Sequence, residues 1–189
     1  MKDNTVVGKN IVLGVTGSIA AYKAADLCSK FTASGADVNV IMTKASLNLI
    51  GSKTFLTLSK NPVVTDLWAI SDWRPGHIDL AEKADLFIVA PCTANFIGKF
   101  AHGIGDDALS TFALSFTGDI FLAPAMNPKM WHNTAVQSNI KLLKERDVVI
   151  IEPESGKVAC GADGTGRMRN VGEICRIVET FSATERMSE

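Results

Sequence analysis

The chain carries almost no net charge: 19 Lys and Arg against 20 Asp and Glu leave −1 at neutral pH. A protein built around a nucleic-acid polyanion carries a basic excess, so no nucleic-acid partner is expected. The N-terminus shows no apolar h-region and no cleavage signal, so no secretory signal is expected. No apolar run approaches the roughly 20 residues a membrane span needs. The cysteines, Cys28, Cys92, Cys160 and Cys175, lack metal-type spacing, and two of them fall in expected helices. That usage implies a reducing cytoplasm, with no disulfide framework and no metal site. No internal repeat, low-complexity segment or linker divides the 189 residues, a length that suits one domain with a full core. The ends, 1–9 and 182–189, are expected to be flexible tails.

What the chain does have is alternation of strand and helix. Apolar runs predict strands over 10–16, 37–42, 85–90, 119–123 and 148–152, with a shorter one within 62–68. Helical spacing predicts helices over 19–34, 94–102, 107–116, 134–146 and 170–181, and one or two pieces within 45–57. Gly35 is placed to close the first helix. Residues 71–76 are expected as a loop, and Pro91 and Pro124 are expected to end their strands. Near-continuous apolar strands, each followed by a helix, imply an α/β fold with a doubly wound parallel sheet of Rossmann or flavodoxin-like type. Such sheets bind ligands beyond the carboxyl ends of their strands.

The unusual residues fall at those ends. After the first strand, Gly17, Ser18 and Ile19 make a small-residue turn, either a tight strand-to-helix connection or a phosphate cradle. A dinucleotide site places an acid at the end of strand two, for the ribose diol. Here Thr43 and Lys44 stand there instead, a hydroxyl and a cation that suit a phosphate or a flavin edge. A mononucleotide is therefore favoured over nicotinamide. Thr93, Ala94 and Asn95 follow the fourth strand, and Thr93 suits either a helix cap or a ligand contact. Asp106 or Asp107 is expected to cap the next helix. In Pro124-Ala-Met-Asn-Pro-Lys-Met-Trp131, prolines bracket Met126 and Asn127. That stiff segment presents one amide, as a substrate reader or as an ordinary turn.

His77 follows a loop and stands near Asp79, where its ordinary pKa suits a base; His102 and His132 are expected to be plain capping or surface residues. Cys28 and Cys175 are expected to be inert, and Cys92 is open between inert and reactive. Residues 159–168 contain Gly161, Gly164 and Gly166 around one thiol and one guanidinium, Cys160 and Arg167. That composition suggests a mobile flap over a site.

Taken in order, the 17–19, 77–80, 91–95, 124–131 and 159–168 segments make a set that resembles the homo-oligomeric flavin-containing cysteine decarboxylases, over roughly residues 10–180. Within that family the chain is most similar to the members that convert 4'-phosphopantothenoylcysteine to 4'-phosphopantetheine in coenzyme A synthesis. The resemblance implies FMN held by Gly17, Ser18, Ile19, Thr43, Lys44, Thr93, Ala94, Asn95 and Ala125. It implies His77 as base, Asn127 as reader of the substrate carboxylate and Cys160 as late proton donor. Met130, Ala159, Arg167 and Met168 would contact substrate. It further implies a small-molecule substrate, a trimer or a multiple of trimers such as a dodecamer, and a stand-alone decarboxylase without the fused ligase of many bacteria. The lantibiotic-type peptidyl-cysteine decarboxylases resemble the chain in the His77 and Asn127 regions but lack the flap cysteine. Flavin-binding regulatory relatives usually carry long acidic tails, and with none in residues 1–189 a non-catalytic regulatory role is the less expected reading.

Overall fold

The computed structural model describes residues 6–67, 76–157, 161 and 163–185. Six strands form one parallel sheet: β1 (Asn10–Val15), β2 (Asp37–Met42), β3 (Val63–Val64), β4 (Leu86–Cys92), β5 (Asp119–Pro124) and β6 (Val149–Ile150), in the order β3-β2-β1-β4-β5-β6. Every neighbouring pair is parallel. This is the doubly wound order, and the direction of winding reverses between β1 and β4.

Helices cover both faces. On one side lie α1 (Ala21–Ala33), α2 (Ser52–Ser59) and α8 (Val171–Glu185), which pack Leu27, Phe31, Phe55 and Ile174 against Ile11, Leu13 and Ile88 of the sheet. On the other lie α4 (Ala94–Ala101), α5 (Ala108–Ser115) and α7 (Thr134–Lys144), which bring Ile97, Phe112 and Leu143 onto Val12, Phe87 and Leu122. Successive strand residues point to opposite faces, so strands buried on both sides must be apolar at every position. That is why β4 is buried along its whole length. Phe87 meets the Phe112 ring edge-on at a centroid distance of 4.9 Å. Gly14 in β1 makes room for α5: a Cβ there would lie 2.6 Å from Leu109 Cδ1.

The expected strand over 37–42 matches β2, and 10–16 and 119–123 match β1 and β5 within a residue. Other elements differ. The helix expected over 19–34 starts two residues later, and Gly35, with φ +87°, follows its last turn. Within 45–57 a 3₁₀ turn (Ser46–Asn48) precedes α2. The edge strands expected over 62–68 and 148–152 are two residues each, β3 and β6. Pro91 does not end β4. It follows a cis peptide bond with Ala90, and the strand continues to Cys92 after a register shift past Val89. A proline is tolerated at such an irregularity because no ladder bond is asked of its missing N–H. Residues 6–9 and 182–185 are not tails. Val6 is fully buried, Gly8 N–H donates to Gly35 O at 2.9 Å, and Ser182 is buried inside the last helix.

Residues 154–157 and 163–167 pair as antiparallel strands, β7 (Glu154–Lys157) and β8 (Asp163–Arg167), and β8 lies within the 159–168 stretch expected as a glycine-rich flap. The second strand of this hairpin is stapled to the exit of β5 by Met126 N–H donating to Gly166 O at 2.9 Å. The short helix α6 (Pro128–Trp131), which sequence patterning did not reveal, lies against it.

Between α4 and α5 the connection is held by charge. Lys99 Nζ lies 2.6 Å from Asp106 Oδ1 and 3.0 Å from Asp107 Oδ2. Asp107 is the N-cap of α5, accepting from Ser110 N–H at 2.8 Å, with Ser110 returning the bond in a capping box. Burial alone would raise the Asp107 carboxyl, but the Ser110 N–H, the Lys99 ammonium and the Ser110 hydroxyl outweigh it and hold the pKa below the ordinary value. Asp107→Ala is expected to cost about 1 kcal/mol of unfolding free energy. Because the folded pKa is lowered, the gap between wild type and variant is full above the unfolded value of about 3.9 and closes as pH falls through the folded value. Urea denaturation at pH 7 and in the pH 2–4 range checks both the size and the sign.

Candidate active site

The carboxyl ends of β1, β2, β4 and β5 carry a row of loops bonded to one another. At the end of β1, Thr16 is 1% exposed, and its hydroxyl donates to Pro91 O at 2.7 Å and accepts from Thr93 N–H at 3.0 Å. Gly17 follows, and a Cβ there would come within 2.6 Å of the Ala45 Cβ, so only glycine lets these two turns approach. The second turn is anchored by Thr43 N–H, which donates to Val15 O at 3.0 Å. Thr43 Oγ1 accepts from Ser46 N–H, and Ser46 Oγ returns a bond to Thr43 O. Gly17, Ser18, Thr43 and Lys44 therefore share one corner. A cleft of about 420 Å³ opens beside it, lined by Thr43, Lys44, Leu47, Thr65, Asp66 and Asp107 among others.

Thr93 stands at the N-cap of α4 with extended backbone, yet its side chain makes no capping bond. The capping explanation for its hydroxyl therefore fails. The first-turn N–H groups of α4 are left facing the edge at the positive end of the helix. Asn95 is exposed in that same turn. The start of α1 likewise lacks a side-chain cap, with Ser18 Oγ reaching only to Ala20 N at 3.3 Å. Two uncapped helix starts, a hydroxyl and an exposed lysine form a donor set with no carboxylate at the end of β2. That set fits the phosphate and polar edge of a flavin mononucleotide better than a ribose diol. Ala125 completes the row: its N–H is spent on Cys92 O at 3.0 Å, so its carbonyl and methyl are what it has to offer a ligand.

Asn127 is the N-cap of α6, and its Oδ1 accepts from Lys129 N–H at 2.8 Å. The structure makes it an ordinary cap and also a rigid one. With Oδ1 committed to the helix start, the amide is oriented and its nitrogen is the donor end. Met130, on the same short helix, is 47% exposed. Arg167, at the end of β8, has Nε 3.8 Å from Glu154 Oε2, and Glu154 Oε1 accepts from Asn170 N–H. Met168 is buried in the core cluster that includes α1 and α8, and its carbonyl accepts from Lys23 Nζ at 3.0 Å. Burial, followed by the Arg167 charge, pushes the Lys23 ammonium below its ordinary pKa, with Glu154 opposing.

His77 lies on α3 (Gly76–Lys83), which packs against α5; its side chain, Ala159 and Cys160 lie outside the described residues. The other cysteines are inert. Burial pushes the thiols of Cys28 and Cys175 up to about 11 and also raises that of Cys92, a fully buried core residue of β4. His102 closes α4, with Nδ1 2.9 Å from Gly98 O, and His132 closes α6. Sequence patterning passed over Thr16 and Lys23. An isolated hydroxyl at the end of an otherwise apolar strand was a signal for Thr16. Lys23 offered none, because its partner is 145 residues away.

The Flavoprotein family model matches residues 2–182, and the chain belongs to that family. It is 44% identical over 174 residues to a probable phosphopantothenoylcysteine decarboxylase of Streptococcus mutans, covering 90% of this chain and 97% of that protein. It is 43% identical over 180 residues to the coenzyme A biosynthesis bifunctional protein CoaBC of Bacillus subtilis, covering 94% of this chain but 44% of that protein. The chain thus spans somewhat under half the length of the bifunctional relatives it matches. Among solved structures, a PPC decarboxylase mutant complexed with pantothenoylaminoethenethiol superposes with a TM-score of 0.81 at 30% identity, covering 92% of this chain and 98% of that one.

The glycine at 166 carries the sharpest local expectation. It sits at φ +154°, and a Cβ there would overlap Met126 O. Gly166→Ala should break the staple to β5, cost about 1–3 kcal/mol and lower Tm by several degrees. Limited proteolysis should then cut faster within 154–167. An unchanged melting curve and cleavage pattern would count against the staple.

Proposed function

We propose that this flavoprotein uses FMN to decarboxylate 4'-phosphopantothenoylcysteine to 4'-phosphopantetheine, a carbon–carbon lyase step of coenzyme A synthesis. The observation that carries the reading is the rigid segment at the β5 exit, where capped Asn127 and exposed Met130 meet the hairpin. The similarity to phosphopantothenoylcysteine decarboxylases over nearly the whole chain supports it.

Gly17, Ser18, Ile19, Thr43, Lys44, Thr93, Ala94, Asn95 and Ala125 would hold the cofactor along the carboxyl edge. A cysteinyl carboxylate does not lose CO₂ readily, because the electron pair left behind has nowhere to go. FMN held there would supply two-electron redox chemistry at the thiol-bearing carbon, and the thiocarbonyl so formed would be the missing sink. The carboxylate then lies beta to a thiocarbonyl, and the pair from the breaking C–C bond moves into it. Asn127 would hold the carboxylate by its amide N–H, its orientation fixed by the cap bond to Lys129 N–H. His77 takes the proton in the oxidative half. Cys160 gives one to the ene-thiolate in the reductive half, so oxidation and reduction cancel over a turnover. Met130, Ala159 and Arg167 cover the substrate. Cys160 separates this reading from an oxidative peptidyl-cysteine decarboxylase, which would stop at the enethiol.

Ile19, Tyr22, Leu47 and Leu49 are exposed near the cofactor corner, and Met130 is exposed by Asn127. A second copy of the chain covering them, in a trimer or a multiple of trimers, suits their apolar character. Among the described residues no helix is long and apolar enough to cross a membrane, and the substrate points to the cytoplasm.

Purified protein should be yellow, and its flavin absorbance should bleach transiently under anaerobic conditions on adding phosphopantothenoylcysteine and then recover as 4'-phosphopantetheine appears. No bleaching, or net consumption of an oxidant per CO₂, would sink the scheme. With Cys160→Ser, CO₂ should still form while the flavin stays reduced; normal product from that variant would remove Cys160 from the mechanism.

A further inference from the structure

We propose that Thr16 is the positioning residue of the cofactor site, its buried hydroxyl fixing the distance between the turn at Gly17 and Ser18 and the turn at Thr93 and Asn95. The inference rests on the FMN reading above and deepens it.

Winding reverses between β1 and β4, so the chain leaves these two strands toward opposite faces and a crevice opens between their ends. Regular pairing of β1 with β4 stops at Gly14 and Val89. Beyond it, β4 shifts register and Pro91 has no N–H to give. Both ends of the crevice must nevertheless stay close, because each carries half of the donor set.

Thr16 is what spans the gap. Its N–H donates to Pro91 O at 3.3 Å, its hydroxyl donates to the same oxygen at 2.7 Å, and that hydroxyl accepts from Thr93 N–H at 3.0 Å. One side chain thus satisfies a carbonyl and an amide on the opposite strand. At 1% exposure no bulk water reaches it to substitute. The residues on either side of this bridge are the ones the site needs, Gly17 next to Thr16 and Ala94 next to Thr93. The hydroxyl faces inward, committed at both of its hydrogen-bonding functions, so it acts on the cofactor through the two turns.

Thr16→Val keeps the shape and removes the bridge. Apoprotein should be titrated with FMN, following flavin fluorescence, and the visible circular dichroism of the bound flavin recorded. For folded Thr16→Val, the expected result is an FMN Kd raised at least about tenfold, with an altered visible dichroism. Thr16→Ser, which restores the hydroxyl, should return Kd to within about threefold of wild type. A hydroxyl that serves only fold stability would lower the urea midpoint of Thr16→Val and leave Kd and dichroism unchanged, and that result would overturn the proposal. If the valine variant does not fold, Thr16→Cys is judged by the same criterion, since its thiol fits the space but is a weak donor and acceptor. Absence of FMN binding by the wild type would overturn the cofactor reading itself, a failure distinct from unchanged binding in the variant.

Discussion

Where the β1–β4 ladder stops, after Gly14 and Val89, the polar backbone at the carboxyl edge of the sheet still has to find partners. It finds them sideways. Thr16 reaches to Pro91 and Thr93, Thr43 to Val15, Ala125 to Cys92 and Met126 to Gly166. Each loop is satisfied by the loop on the neighbouring strand, so the spacing of the row is set by hydrogen-bond length rather than by loop sequence. The turn at Gly17, the start of α4, the stiff segment around Asn127 and the hairpin all depend on this one requirement.

The row is only as rigid as what lies beneath it. Two apolar layers, one under α1, α2 and α8 and one under α4, α5 and α7, hold the strands from both faces. Aromatic edge-to-face packing of Phe87 with Phe112 and of Phe121 with Phe181 fills the thickest parts. Three of the four cysteines are spent in these layers as small apolar groups, with thiols that burial keeps protonated. Charge is kept at the periphery, where Lys99 with Asp106 and Asp107 ties two helices together beside the cleft.

The strongly periodic parts of the fold were legible. A strand buried on both faces announces itself as an unbroken apolar run, and β1, β2 and β5 were recovered almost to the residue. Edge strands β3 and β6 were overestimated: each pairs with its single neighbour over only two residues, Val63 and Val64 with Val40 and Ile41, and Val149 and Ile150 with Phe121 and Leu122. Pro91 misled in the opposite direction, since its missing N–H signals a strand end unless the register shifts to accommodate it. The glycine-rich stretch was taken for an open loop. Half of it is a strand, because backbone angles reserved for glycine also suit a hairpin pressed against the 126–128 backbone. In the site, Thr93 was legible by position but not by role. Only the structure shows its hydroxyl unused by the helix it precedes.

The α/β architecture, the doubly wound class and the gathering of chemistry-bearing residues at strand ends were all readable in the amino-acid pattern. Those follow from local rules: period, turn residues, and the demand that a two-sided sheet be apolar throughout. Tertiary structure alone decided which loops meet. It sent Met168 into the core, made Asn127 an oriented cap, brought Lys23 beneath the hairpin and turned Thr16 into a bridge across the crevice. Thr16 and Thr93 lie 77 positions apart in the chain. No local pattern encodes that meeting; it arises because strands distant in sequence are laid side by side and their unpaired backbone groups must be satisfied there.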